Sequence, residues 1–257
     1  MHKKVLIKIG TASLTNDDFS LRKERIKNLA KEISRISQKV DEIILVSSGA
    51  VAAGRSELSF TKKRGEEELK HKQALAAVGQ GILFSQYRKE FKKYKINTAQ
   101  VLLTPNDFEN PESKKNLKRT LGLLAKKNFL AIVNENDTTA TEELRFGDND
   151  NLAAKIAAEK KMDILIFLSD TEGFFTEDPH KNPQAKLIKK VEKITPEIKR
   201  LAQESKNSNA CGGMKSKIAA ALFAGKSGVK TALISAENPG LISDIIAEKD
   251  FRGTLFL

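Results

Sequence analysis

The sequence predicts a doubly wound α/β fold, a mostly parallel sheet covered by helices on both faces. Three observations carry that reading. Short runs of Val, Ile and Leu recur without polar alternation, as in strands buried on both sides. Amphipathic stretches of helical period separate them. Strand and helix alternate along nearly the whole of the 257 residues, the order of successive βαβ units.

The first strand is read at 4–9 (KVLIKI), followed by a helix over 21–39 in which Ile26, Leu29, Ala30, Ile33 and Ile36 share one face. A second strand at 42–47 (EIILVS) ends in Ser47-Ser48-Gly49-Ala50, small residues that run into a helix. Helical stretches at 66–94, 113–127 and 149–161 alternate with strands at 98–103, 129–134 and 163–169. The region 171–195, with Pro179, Pro183 and nearby Pro196, breaks the pattern and reads as a hairpin or lid. Helices near 195–204 and 215–227 and strands at 230–235 and 253–257 complete the series. No repeat, low-complexity tract or linker interrupts it, so one domain over 1–257 is expected.

Lys and Arg number 45 against 33 Asp and Glu, a formal charge of +12. Such a balance raises nucleic acid as a partner. The lysines are scattered in pairs such as Lys92-Lys93, Lys126-Lys127 and Lys160-Lys161, which close or flank helices, where a cation suits the dipole. There is no zinc-finger spacing and no basic helix interleaved with aromatics, so no nucleic-acid partner is expected. No apolar run approaches the roughly 20 residues that span a bilayer, and no membrane partner is expected. MHKKVLIKIG enters a strand with no cleavable signal pattern. A single cysteine, Cys211, cannot form an internal disulfide and fits a reducing compartment, so a cytoplasmic protein is expected.

Chemistry in such sheets gathers at the carboxyl ends of the strands. Ala224-Gly225-Lys226-Ser227 imitates the end of a Walker A loop, but it lacks the first glycine and ends a helix instead of opening one. Gly79-Gln80-Gly81 lies mid-helix and reads as a close helix contact. Better placed are Lys8-Ile9-Gly10, a cation and a glycine at the edge of the first strand, and Ser48-Gly49, where backbone N–H groups open a helix. In Gly212-Gly213-Met214-Lys215-Ser216-Lys217 a double glycine leads into a helix whose first turn carries two lysines. Cations there oppose the helix dipole, and a bound polyphosphate would reverse the cost. Asn134 to Asn151 crowds Asp137, Asp148 and Asp150 beside a buried strand, which calls for cations, a ligand or open water to offset their repulsion.

With these pieces in order, the chain resembles the amino acid kinase family, and within it the branch that phosphorylates the γ-carboxylate of glutamate. The resemblance rests on KIGTASLT (8–15), VSSGAVAAGR (46–55), AAVGQG (76–81), VNENDTTAT (133–141), GDNDNLAA (147–154), LSDTEGFFTEDP (168–179), GGMKSKIAAA (212–221) and GTLF (253–256), spread over the chain in family order. It implies a three-layer αβα sandwich around a mostly parallel sheet. Many members of the branch carry a C-terminal RNA-binding-like PUA domain; none is expected in this chain. The family pattern GTGGM(S/A)TK stands as ACGGMKSK, with Cys211 and Ser216 replacing threonines and Lys215 as an added cation, either a bystander or a further phosphate contact.

The resemblance further implies ATP and Mg²⁺ as cofactors, the metal held mainly by phosphate oxygens and water, since the three histidines are too dispersed to form a protein cage. Lys8 and Lys217 are implied as catalytic lysines and Asp150 as the aspartate that organises them. ATP is implied to contact Lys8, Gly10, Ser169, Asp170 and the run Cys211, Gly212, Gly213, Met214, Lys215, Ser216, Lys217, with Phe174 and Phe175 either walling the adenine or filling the core. For glutamate the matching residues are Ser48, Gly49, Asn134, Asp137, Asp148 and Asn149, with Glu142, Glu143 and Arg145 on a loop above. A homo-oligomer, inhibition by proline and hand-over of a labile acyl phosphate to glutamyl phosphate reductase are the partner expectations. Aspartate, acetylglutamate or UMP as acceptor is the nearest rival, and a nucleic-acid binder with a non-catalytic kinase fold is the rival of another class.

Overall fold

Along the first strand, β1 (Lys4–Ile9), alternate side chains enter two different cores. Val5, Ile7 and Ile9 face one apolar layer, while Leu6 faces the other, as the two-residue period of a strand requires. The same division holds along β2 (Glu42–Val46), β4 (Phe129–Glu135), β5 (Ile164–Ser169) and β7 (Lys230–Ser235). Because Lys8 follows the parity of Leu6, it points to the Leu6 side. The computed structural model describes residues 3–60, 67–139, 149–179, 181–204 and 213–257.

On the Val5 side lie α2 (Lys23–Ile36), α3 (Ala50–Glu57), α4 (Leu69–Lys92) and α10 (Leu241–Ile246). On the Leu6 side lie α6 (Pro111–Lys126), α7 (Asn149–Lys160), α8 (Pro196–Glu204) and α9 (Met214–Gly225). Short helices α1 (Thr11–Leu14) and α5 (Asn106–Glu109) follow β1 and β3 (Asn97–Leu103). The expected α2 face of Ile26, Leu29, Ala30, Ile33 and Ile36 is fully buried. At α6 the Asn110 side-chain Oδ1 accepts from Glu112 N (2.9 Å) and Ser113 N (3.0 Å), and Pro111 occupies the first turn, a local start signal written in the sequence.

Among the described residues the strands form one eight-stranded sheet in the order β3-β4-β2-β1-β5-β7-β8-β6. It is a three-layer αβα sandwich. Pairing is parallel from β3 to β7, whereas β8 (Thr254–Phe256) runs antiparallel to β7 and carries the two-residue β6 (Lys190–Val191) beside it. Arg252, just before β8, reaches Glu172 beyond the end of β5 (2.7 Å), so the chain re-enters the sheet from its carboxyl edge and must run downward. The pattern break at 171–195 is a hairpin: Phe175 bridges Leu187, and Thr176 N donates to Lys186 O (3.0 Å). Beyond the expected elements stand α1, α5, α10 and β6, each six residues or fewer and too short to show a period.

Two glycines bring α3 and α4 together. A Cβ at Gly79 would lie 1.8 Å from Ala50 O, and one at Gly54 would lie 1.9 Å from Leu75 O. The mid-helix glycine is thus a close backbone contact, as its position in the sequence suggests. The segment 224–227 closes α9, consistent with the rejected phosphate-loop reading. No helix among the described residues is long and apolar enough to cross a membrane.

Candidate active site

The sheet order changes direction beside β1: β2, β4 and β3 lie to one side, β5 and β7 to the other. Chains leaving β1 and β5 therefore diverge, opening a crevice at their carboxyl ends. The cleft found there measures about 790 Å³ counting its open mouth. It is lined by Gly10 to Ser13, by Ser169 to Thr171 and by Glu177 to Pro179 of the hairpin. Its floor holds Lys8, Gly213, Met214 and Lys217.

Three charges meet on that floor. Asp150, in the first turn of α7, is fully buried and forms an ion pair with Lys8 Nζ through Oδ1. Its Oδ2 lies 3.2 Å from Lys217 Nζ, in the first turn of α9. Helices α7 and α9 pack side by side over the Leu6 face, so both N-termini arrive where Lys8 points. Burial by itself would raise the Asp150 carboxyl, but the two ammonium groups outweigh it and hold the group below the usual carboxylate range. The acid is thus ionised at neutral pH, and the trio carries one net positive charge. Lys8 is 3% exposed and the Lys217 side chain 11%, so a ligand anion would meet these ammonium groups with little water between.

On the β2–β4 side the site becomes a chain of amides. Asn149 Nδ2 donates to Ser47 O (2.6 Å), Asn134 Oδ1 (2.7 Å) and, more weakly, Ser48 Oγ (3.1 Å). Asn134 Oδ1 also accepts from Glu135 N (2.9 Å), and Asn134 Nδ2 donates to Gln80 Oε1 of α4 (2.7 Å). Beneath this chain Ser47 Oγ bonds the buried Tyr87 hydroxyl (2.9 Å), and burial pushes that phenol up. Gly49, which opens α3, has φ +100°, the left-handed region where a side chain is strained. Asp137 follows in the turn after β4, half-buried.

A family model described as amino acid kinase family matches residues 3–235. The chain belongs to the amino acid kinase family. It is 41% identical over 255 residues to the glutamate 5-kinase of Streptococcus sanguinis strain SK36, covering 99% of this chain and 68% of that protein. It is 40% identical, with the same coverage, to the glutamate 5-kinase of Pelobacter propionicus. Among solved structures, an isopentenyl phosphate kinase of T. acidophilum superposes with a TM-score of 0.70 at 15% identity, over 99% of this chain and 100% of that one. The UMP kinase of Ureaplasma parvum superposes at 0.65 and 17% identity, over 100% and 99%. At such identities the structural likeness establishes the shared fold.

In this amino acid kinase the sequence-derived candidates fall into groups. Lys8, Asp150 and Lys217 converge as one ion-pair cluster, and Gly10, Ser169, Asp170, Gly213 and Met214 line the cleft above it. Ser169 Oγ donates to Asp170 Oδ1 (2.9 Å). Ser48, Asn134 and Asn149 are joined by the amide chain. Lys215 lies elsewhere, lining a groove with Lys199, Leu222 and Phe223 between α8 and α9, because adjacent helix positions diverge by about 100°. Ser216 Oγ is buried without a hydrogen-bond partner among the described residues. Asp148, Cys211, Gly212, Glu142, Glu143 and Arg145 lie outside the described residues.

Both phenylalanines line the cleft and differ in burial. Phe174 is buried against Phe256 (centroids 6.4 Å apart), whereas Phe175 is half-buried. Two residues escaped the sequence reading. Gln80 was legible only as part of a helix contact, yet it extends the amide chain. Arg55 is buried with Glu67 as ion-pair partner, its guanidinium 4.3 Å from the Phe19 ring centroid and 5.1 Å from that of Phe60. An arginine in the last turn of an alanine- and glycine-rich helix was the available signal for it.

Proposed function

We propose that this protein transfers the γ-phosphoryl group of ATP to the γ-carboxylate of L-glutamate, giving L-glutamyl 5-phosphate and ADP, the first step of proline biosynthesis. The observation that carries the reading is the buried carboxylate held between two lysines, next to a hydrogen-bonded chain of amides. Identity of 41% to a glutamate 5-kinase over 99% of the chain supports the choice of acceptor.

The attacking γ-carboxylate is ionised at neutral pH, so no general base is required. Its oxygen forms the new P–O bond while the bond between the γ-phosphorus and the β–γ bridging oxygen breaks, and ADP departs with that oxygen. Catalysis is then positioning and charge stabilisation. Lys8 would hold the transferring phosphoryl oxygens, and Lys217 would neutralise charge growing on the leaving phosphate. Asp150 keeps two like charges together before ATP arrives and sets their direction. Gly10, Ser169, Asp170, Phe175, Gly213, Met214 and Ser216 are proposed to bound the nucleotide, with Cys211 and Gly212 as further proposed contacts; Lys215 would reach it only by turning toward the cleft. For Mg²⁺ the donor set fits: the cleft carries hard oxygen ligands in Asp170 and Asp178, suited to a water-mediated contact with a cation carried by the phosphates. Bound there, Mg²⁺ would neutralise charge on the β- and γ-phosphates.

At the acceptor end, Asp137 and Asp148 would take the ammonium of glutamate, with Asn134 and Asn149 beside them and Ser48 and Gly49 meeting a carboxylate. An acetylated acceptor lacks that ammonium, and UMP would call for arginines where acids stand. Proline shares the ammonium and α-carboxylate, so inhibition at the same site belongs to the proposal. The test is ATP consumption with hydroxylamine trapping of the acyl phosphate, run in parallel with glutamate, aspartate, acetylglutamate and UMP. Hydroxamate from glutamate alone, abolished by Lys217→Ala and Asp148→Ala, supports the reading; turnover only with another acceptor overturns it.

A further inference from the structure

The direction of the amide chain is fixed by two backbone groups. Ser47 C=O can only accept, so the Asn149 atom 2.6 Å away is its nitrogen. Glu135 N–H can only donate, so the Asn134 atom 2.9 Å away is its oxygen. The remaining Asn134 nitrogen must then meet an acceptor, and the Gln80 atom 2.7 Å from it is Oε1. Gln80 Nε2 is left with no partner among the described residues, on a side chain that is only half-buried. Ser48 Oγ, which accepts from Asn149, likewise keeps its own hydrogen. The chain has an order in space as well. It starts at Asn149, next to Asp150 and the two lysines, and passes through Asn134 to Gln80 on α4, farthest from the phosphoryl-transfer end.

We infer that Gln80 is a specificity-determining residue that donates Nε2–H to the non-reacting α-carboxylate of the acceptor. This rests on the proposed glutamate site. Two donors without an acceptor among the described residues, Gln80 Nε2 and Ser48 Oγ, stand at either end of the linked Asn134 and Asn149 amides, and a carboxylate is the partner that accepts from both. The Gly54–Gly79 contact between α3 and α4 is what carries Gln80 close enough to join the chain. A glycine followed directly by this glutamine thus places a binding group where the sequence alone suggests only helix packing.

The experiment is a comparison of two acceptors across variants at this position. 4-Aminobutyrate keeps the ammonium and the reacting carboxylate of glutamate but has no α-carboxylate. It is measured as a substrate or, where turnover is slow, as a competitive inhibitor. Gln80→Ala is expected to raise KM for glutamate roughly 10- to 100-fold, the loss of one hydrogen bond to a charged group, with KM for ATP unchanged. For 4-aminobutyrate its effect is expected within about twofold. Gln80→Glu keeps an acceptor for Asn134 but sets a carboxylate against a carboxylate, so it is expected to harm glutamate more than Gln80→Ala does. Equal losses with both acceptors would mean that Gln80 merely positions Asn134, and would overturn the inference while leaving the proposed function standing. No turnover of glutamate by the unaltered protein would overturn both.

Discussion

Asp150→Asn removes one negative charge and almost no volume, leaving the ammonium groups of Lys8 and Lys217 facing each other across a neutral amide. Removing one partner of a buried ion pair costs about 3–5 kcal/mol. Lys217 opens onto the cleft and keeps some solvent, which places the expected loss near the lower end, about 3 kcal/mol. For a chain of this size that is a fall in melting temperature of about 6–12 °C. Inorganic triphosphate or Mg-ATP should restore part of the loss, because phosphate oxygens take over the role of the missing carboxylate. The turnover number should fall by about 100-fold or more, as when a preorganised charge is removed from a phosphoryl site. Thermal unfolding with and without triphosphate, beside steady-state kinetics, measures each part. Since the folded-state pKa of Asp150 lies below the ordinary 3.8, its contribution is complete at neutral pH and fades as pH falls below that value. The gap in stability between the two proteins should therefore close in acid. A variant that melts with the unaltered protein at pH 7 and retains its turnover would refute the reasoning.

Other residues give sharper contrasts. Phe175→Ala should raise KM for ATP several-fold with little change in melting temperature, whereas Phe174→Ala, buried against Phe256, should cost about 3–5 kcal/mol of stability, read by denaturant titration. Gly79→Ala drives a Cβ into Ala50 O and should cost about 1–3 kcal/mol or more, with KM for glutamate rising as Gln80 is displaced. Glu67→Ala takes the carboxylate from buried Arg55 and should cost about 3 kcal/mol, visible as an earlier urea midpoint with unchanged slope.

Much of the molecule was legible in the sequence, for reasons that vary by element. The central strands announce themselves because burial on both faces removes polar alternation, and the boundaries of β1 and of β7 match the expected 4–9 and 230–235. Lys217 stood out as a cation where the helix dipole repels it, and Asp150 as one of three acids crowded beside a buried strand. Both are explained once the ion-pair cluster is seen. What stayed hidden depends on contacts between distant segments. Arg55 meets Phe19, Phe60 and Glu67 only after three separate stretches have come together. Gln80 acquires meaning only when two glycines let α4 approach α3. The difference in burial between Phe174 and Phe175 arises in a hairpin too short to show a period. The antiparallel course of β8 follows from where Arg252 anchors the returning chain, which no local pattern encodes.

The central claim is that a carboxylate oxygen of the acceptor attacks the γ-phosphorus on this lysine–aspartate–lysine floor. Glutamate labelled with ¹⁸O in its γ-carboxylate, turned over with unlabelled Mg-ATP and trapped with hydroxylamine, tests it directly. Hydroxylamine attacks the acyl carbon and releases phosphate together with the bridging oxygen. The account predicts phosphate carrying a single ¹⁸O per turnover, read by mass spectrometry. Phosphate free of ¹⁸O would mean that water, and not glutamate, receives the phosphoryl group, and would contradict it.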